Sequence, residues 1–298
     1  MTSTGAHILN KRNRGKVEKT NGIKDALIFS TITLGCSFLL FWGPLAVFKI
    51  PTISFVADKR GPAWAIVLFV INGFVPSLTA LILSRLREGK AGLRSLLRRF
   101  LLFNLGLRWY LAIAAVVLLG TAGQIAINSI LGHGFEWRLF VQQLPTFLPL
   151  IILGPISEEF GWRGYLLAKF QQRFGALSSA LVVGVIWALW HLPLFYMVGD
   201  LHYELQLPFA GFFVGTVSIS VIMTWLNNNT SASIWTAVLT HWLYTYSVQV
   251  VSSGITRSPL YNWLEFCPYL FIAIFVAVVW KPRNLACTAP KTDSGARS

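Results

Sequence analysis

Charge is scarce in this chain: only 12% of its 298 residues are Asp, Glu, Lys or Arg, about half the share in an ordinary soluble domain. Acidic residues are scarcer than basic ones, 11 against 25. So little charge cannot solvate the surface of a water-soluble fold of this length. Cysteine is also sparse. Cys36, Cys267 and Cys287 are too few and too scattered for a disulfide framework or a zinc knuckle. Cys287 does not stand fourth from the end, which removes this chain as a prenylation substrate. The His-Glu-x-x-His spacing of zinc peptidases is absent, no internal repeat suggests an inverted-repeat transporter, and no short apolar core follows the basic first 24 residues as in a cleaved signal peptide.

What the chain has instead is apolar surface. Hydrophobic residues make up 55%, with 12 Trp and 22 Phe, and the mean hydropathy is +0.61. A span needs roughly 20 apolar residues to cross about 30 Å of hydrocarbon. Such runs occur at 26–48, 63–84, 109–131, 139–157, 177–196, 208–226, 232–251 and 263–280. The sequence therefore predicts an all-α, polytopic membrane protein of about eight transmembrane helices with a buried polar site in its C-terminal half. Four regions follow: a basic cytoplasmic tail (1–25), N-terminal helices (26–138), a core (139–251), and a last helix with its tail (252–298).

The net charge of +14 does not indicate nucleic acid, because the basic residues flank the apolar runs. They cluster in the first 24 residues, in 85–108 and in the last 18, and no basic patch with interleaved aromatics stands apart from them. Lys and Arg resist translocation, so this asymmetry predicts an even number of spans with both termini in the cytoplasm. Within the second basic cluster, residues 93–103 alternate apolar and basic positions at helical spacing and read as a short helix on the anionic inner leaflet.

Ionisable groups inside spans are costly, and by default they mark function. Here they are concentrated on three successive segments. The first is Gly154-Pro155-Ile156-Ser157-Glu158-Glu159-Phe160-Gly161-Trp162-Arg163. Pro155 suits the first turn of a helix, which would set both acids near the positive end of its dipole. Glu159 and Arg163, four apart, can pair on one face, leaving Glu158 turned roughly 100° away without that partner. The second segment carries His191 one turn after Trp187 and just before Pro193, inside an apolar span. The third carries His241 and, one turn on, Thr245.

A carboxylate held in low dielectric can act as general base on a water, a histidine beside it can orient that water or hand on a proton, and further donors can meet a developing oxyanion. That set suffices for peptide hydrolysis without a covalent nucleophile. Glu158, His191 and His241 are equally the residue types of a catalytic zinc site, so a divalent metal stays open on residue types alone. A proton relay in a small-ion or solute transporter is a further alternative.

The Glu158-Glu159-x-x-x-Arg163 run, the Trp187-x-x-x-His191 pair, and His241 with a small polar residue four later resemble the intramembrane CAAX prenyl protease and bacteriocin-processing (CPBP, or Abi) family, over roughly residues 140–250. The resemblance implies an eight-helix bundle with its site sunk in the membrane behind a cavity. It implies Glu158 as general base, His191 assisting the water, and His241 with the residue four later binding the oxyanion. The family carries Asn there; this chain has Thr245, which brings one hydroxyl and no amide. Glu159, Arg163 and Trp187 become structural supports. The expected activity is endopeptidase cleavage of a membrane-associated or prenylated peptide by a glutamate-type mechanism, without a metal being favoured. A catalytically weak family member serving as a scaffold is the alternative. The expected setting is a bacterial inner membrane, with the bilayer and a membrane peptide as partners and no nucleic acid.

Overall fold

The computed structural model describes residues 22–52, 61–145 and 151–286. The basic residues of 1–21, Lys59, Arg60, Pro149, Cys287, Lys291 and Arg297 lie outside the described residues. Twelve helical elements follow in order: α1 (Gly22–Val47), α2 (Ala63–Arg87), α3 (Gly89–Phe100), α4 (Leu107–Ile130), α5 (Trp137–Gln143), α6 (152–171), α7 (Ala176–Trp190), α8 (Leu201–Glu204), α9 (Phe209–Asn228), α10 (Ile234–Gly254), α11 (Pro259–Leu264) and α12 (Cys267–Val279). Among the described residues the one β-type contact is an isolated bridge between Phe135 and Ile255. The all-α, multi-pass architecture expected from hydropathy is therefore found.

Among the described residues six segments are long and apolar enough to cross a membrane: Gly22–Val47, Ala63–Arg87, Leu107–Ile130, Ala176–Tyr196, Phe209–Asn228 and Pro259–Val279. At about 1.5 Å per residue, the 25 residues of α2 span roughly 37 Å. The expected count of eight thus meets six such helices. Run 139–157 is divided between the end of α5 and the start of α6, so no single apolar rod covers it. Run 232–251 is a continuous 21-residue helix, α10, diluted by Thr236, Thr240, His241, Thr245, Ser247 and Gln249. The last run is two helices that meet at Glu265–Phe266.

α6 departs from regular α geometry. Its backbone is widened into π turns at Ile152–Ile156 and Phe160–Leu166, on either side of Ser157–Glu159. Pro155 lies inside the first wide turn, so the helix starts upstream of it. The expectation that Glu158 and Glu159 occupy a first turn is corrected accordingly. A proline has no N–H to give the ladder, and a wide turn relieves the clash of its ring with the preceding carbonyl. Where α6 meets α2 the backbones nearly touch. A Cβ at Gly161 would lie 2.7 Å from the carbonyl carbon and oxygen of Pro76, so glycine is required for that approach. Ser77 in α2 donates to the Ile156 carbonyl at 3.3 Å beside it.

α3 is the short amphipathic helix. Leu96 is buried, while Lys90, Arg94, Leu97 and Arg98 face outward. Its Arg99 forks into the neighbouring elements. Nη1 donates to the Gly164 carbonyl at 2.8 Å, Nη2 to Arg163 at 3.3 Å, and Nε to Ala232 at 2.9 Å. Phe100 packs on Phe160 with ring centroids 5.1 Å apart. α3 is thereby fastened to α6 and to the turn that starts α10. Ser233 caps α10 by accepting from Thr236 N–H at 3.2 Å.

Candidate active site

The chemistry-bearing residues converge from α6, α7 and α10. Glu158, Trp187, His191, His241 and Thr245 all line one cavity of about 230 Å³. Glu159 and Arg163 stand behind its wall with no solvent exposure.

Glu158 is 5% exposed. Among the described residues no Lys or Arg pairs with it; two indoles hold it instead. Trp187 Nε1 donates to Oε2 at 2.7 Å and Trp162 Nε1 to the same oxygen at 3.1 Å. Both donors land on one oxygen, which leaves Oε1 for the cavity side. An indole N–H can only donate, so each favours a carboxylate that keeps its lone pairs on Oε2. Trp162 was not singled out by spacing, although its place four residues after Glu158 is the signal that could have found it.

Glu159 forms the expected pair. Arg163 Nη1 lies 2.9 Å from Oε1 and 3.1 Å from Oε2. The same Oε1 meets His241 Nδ1 at 2.8 Å, a contact across 82 residues of sequence. The guanidinium also lies 4.3 Å from the centre of the Trp187 ring, a cation–π contact. With Glu159 ionised, His241 donates from Nδ1, so the ring is oriented by a carboxylate while its edge lines the cavity. Two acids that are neighbours in sequence are thus separated by task. One faces the cavity, and the other organises a cation and an imidazole.

His191 stands at the end of α7 rather than within it. The α-helix stops at Trp190, and Leu192–Tyr196 continue as a 3₁₀ turn containing Pro193. His191 Nδ1 lies 2.9 Å from the Trp187 carbonyl. A carbonyl only accepts, so Nδ1 carries the proton and Nε2 of the neutral ring is left as an acceptor. The rings of Trp187 and Trp190 pack on it edge-on, at 5.9 and 4.8 Å.

Among the described residues no group of three or more His, Cys, Asp or Glu could hold an ion. Glu158 Oε2 is engaged by two donors and the δ nitrogens of both histidines by oxygens, so Glu158 Oε1 and the two Nε2 atoms are the ones a divalent ion would have to use.

Two further groups escaped the sequence reasoning. Asp200 and His202, in the connection between α7 and α9, line the same cavity and bond to each other at 2.7 Å. Arg257 and Glu265 also line it, as an ion pair at 3.1 Å, with Asn262 and Ser252 accepting from Arg257. In sequence all four lie in or beside connecting segments, where no periodicity singles them out.

Comparison with known proteins bears on these residues. Residues 140–247 match the family described as "Type II CAAX prenyl endopeptidase Rce1-like". The chain is also similar to the "CAAX prenyl protease 2" of Methanococcus maripaludis, 28% identical over 150 residues. That alignment covers 48% of this chain and 55% of the archaeal protein, so the chain spans about half the length of the curated relative it matches. The matched stretch carries both acids, Arg163, both histidines and Thr245 on the geometry described above, and over it the chain is similar to the Rce1-like CAAX prenyl endopeptidases.

Proposed function

We propose that this protein is an intramembrane endopeptidase that cleaves a peptide bond of a membrane-associated or prenylated substrate with a water activated by Glu158. The observation that carries the proposal is a buried acid without a cationic partner, one oxygen held by two indoles and the other left to a cavity shared with two imidazoles and a hydroxyl. Glu158 Oε1 takes the proton of the attacking water. His191 Nε2, the acceptor left by its bond to Trp187, receives the second water hydrogen and aims the oxygen at the carbonyl.

His241 and Thr245 face the developing oxyanion. His241 donates from Nε2 only when both ring nitrogens carry protons, and Glu159 supplies the counter-charge. In that state the four buried groups balance: Glu158 and Glu159 negative, Arg163 and His241 positive. Thr245 adds one hydroxyl where the family carries an amide. The similarity to a relative named for CAAX prenyl protease activity supports a prenylated substrate class. The basic residues 85–108 support a topology with both termini on the cytoplasmic side of a plasma membrane, and α3 supports a bilayer-surface placement.

The test incubates the purified protein in detergent with a library of membrane-tethered and prenylated peptides. Cleavage that survives a chelator and is lost in Glu158→Ala is expected. Cleavage abolished by the chelator, or kept in Glu158→Ala, overturns the mechanism. A scaffold reading is favoured by Thr245 alone, and it is supported if no peptide is cut while a membrane partner is retained by Glu158→Ala.

A further inference from the structure

The cavity holds a third imidazole, His202, which meets a carboxylate as His241 does and not a carbonyl as His191 does. His202 is the second residue of the short helix α8, whose N-cap is Asp200. Asp200 Oδ1 accepts from the His202 backbone N–H at 2.9 Å and meets its Nδ1 at 2.7 Å. The His202 ring is clamped between Phe195 and Phe212, with centroids 4.7 and 4.9 Å away, and its centroid is 6.4 Å from that of His191. Asp200 is nearly closed off, with 7% of its side chain exposed, whereas His202 keeps 20%.

The partners of the two rings decide what each can do. His191 Nδ1 faces a neutral carbonyl, which fixes a ring with an acceptor edge. His202 Nδ1 faces a carboxylate, which fixes the same tautomer and adds a counter-charge when Nε2 is also protonated. The remaining charged or titratable groups near it are His191 and the Glu265–Arg257 pair across the cavity; Glu204 is turned to the Gly199 N–H at 2.8 Å. His202 can thus, like His241, give up a proton from Nε2; its ring stands beside His191, whereas His241 is the one placed at the oxyanion.

Resting on the peptidase reading above, we propose that His202, oriented by Asp200, is the general acid that protonates the leaving amine. The step balances. The water oxygen bonds to the carbonyl carbon as Glu158 takes one of its protons. The C–N bond then breaks, its electron pair goes to nitrogen, and the His202 Nε2 proton is transferred there. His202 is recharged by the proton that Glu158 releases through the cavity.

A general acid matters in proportion to how poor the leaving group is. The discriminating probe is therefore a prenylated peptide found to be cleaved, together with its analogue bearing an ester at the cleaved bond. In His202→Gln, amide kcat is expected to fall roughly 100-fold, the low end for general acid–base catalysis, and ester turnover by no more than a tenth of that. Asp200→Asn, which keeps the size and can misorient the ring, is expected to fall in the same unequal way. Equal losses on amide and ester in both variants, or no loss on the amide, overturn the proposal. Failure of the parent reading looks different: wild type then cleaves no peptide from which such a probe could be chosen, or Glu158→Gln cleaves both probes as well as wild type.

Discussion

The Glu159–Arg163 pair permits a quantitative test. Both side chains have no solvent exposure, and the guanidinium meets both carboxylate oxygens at 2.9 and 3.1 Å. Removing one partner of such a pair leaves an uncompensated buried charge, at a cost of about 3–5 kcal/mol. Arg163→Met and Glu159→Gln are each expected to lose that much. At about 2 °C per kcal/mol or more, unfolding temperatures fall by roughly 6 °C or more. The double variant removes both charges at similar volume and is expected to be more stable than either single variant by roughly 2 kcal/mol or more. Thermal unfolding of the four proteins in one detergent, followed by tryptophan fluorescence, measures this cycle. Activity is expected to separate from stability. The double variant stays inactive because His241 Nδ1 has lost its carboxylate. Single variants that lose less than about 1 kcal/mol, or a double variant that loses the sum of the two, would refute the assignment of a buried, coupled pair.

Trp187→Phe removes the shorter of the two N–H donors to Glu158 and keeps a ring in the wall. At about 1.5–3 kcal/mol for a hydrogen bond to a charged group, kcat for peptide cleavage falls roughly 10- to 100-fold, with a smaller loss in Trp162→Phe. Thr245→Asn is expected to raise kcat about 10-fold or more and Thr245→Val to lower it, read on a prenylated peptide under single-turnover conditions. Gly161→Ala drives a methyl group into the Pro76 carbonyl and is expected to cost both folding yield and activity. Gly164→Ala, where the nearest atoms are the flexible ends of Leu96 and Ile234, is expected to be the milder of the two in thermal unfolding.

Hydropathy was enough to place most of the apolar rods, because a 20-residue run without charge has few alternatives to a helix in lipid. Its count of eight goes beyond the six long apolar helices of the described residues at two runs: α10 gives up hydropathy to His241, Thr245 and Gln249, and run 139–157 merges two elements. The Glu159–Arg163 pair was legible from a spacing of four, a local property of helices. His241 against Glu159 was not, since 82 residues separate them and only tertiary packing joins them. The wide turns of α6 were also hidden, because a π turn differs from an α turn by one residue and leaves no compositional mark. Asp200 and His202 sit in a short connection, where ordinary turn chemistry accounts equally well for an Asp two residues before a His.

The widened stretches of α6 also carry a consequence for chain length. A ring closed from i to i+5 contains one residue more than the α-helical ring, so deleting one residue from Phe160–Leu166 need not sever the rod. It can tighten the stretch to ordinary pitch and swing whatever follows by about 100° relative to the acids upstream. Lys169, whose ammonium bridges Asp25 and Glu88 at the far end, would be turned off its two carboxylates. A length change too small to register as a lost segment would then uncouple that anchorage from the half of the helix that carries Glu158 and Glu159.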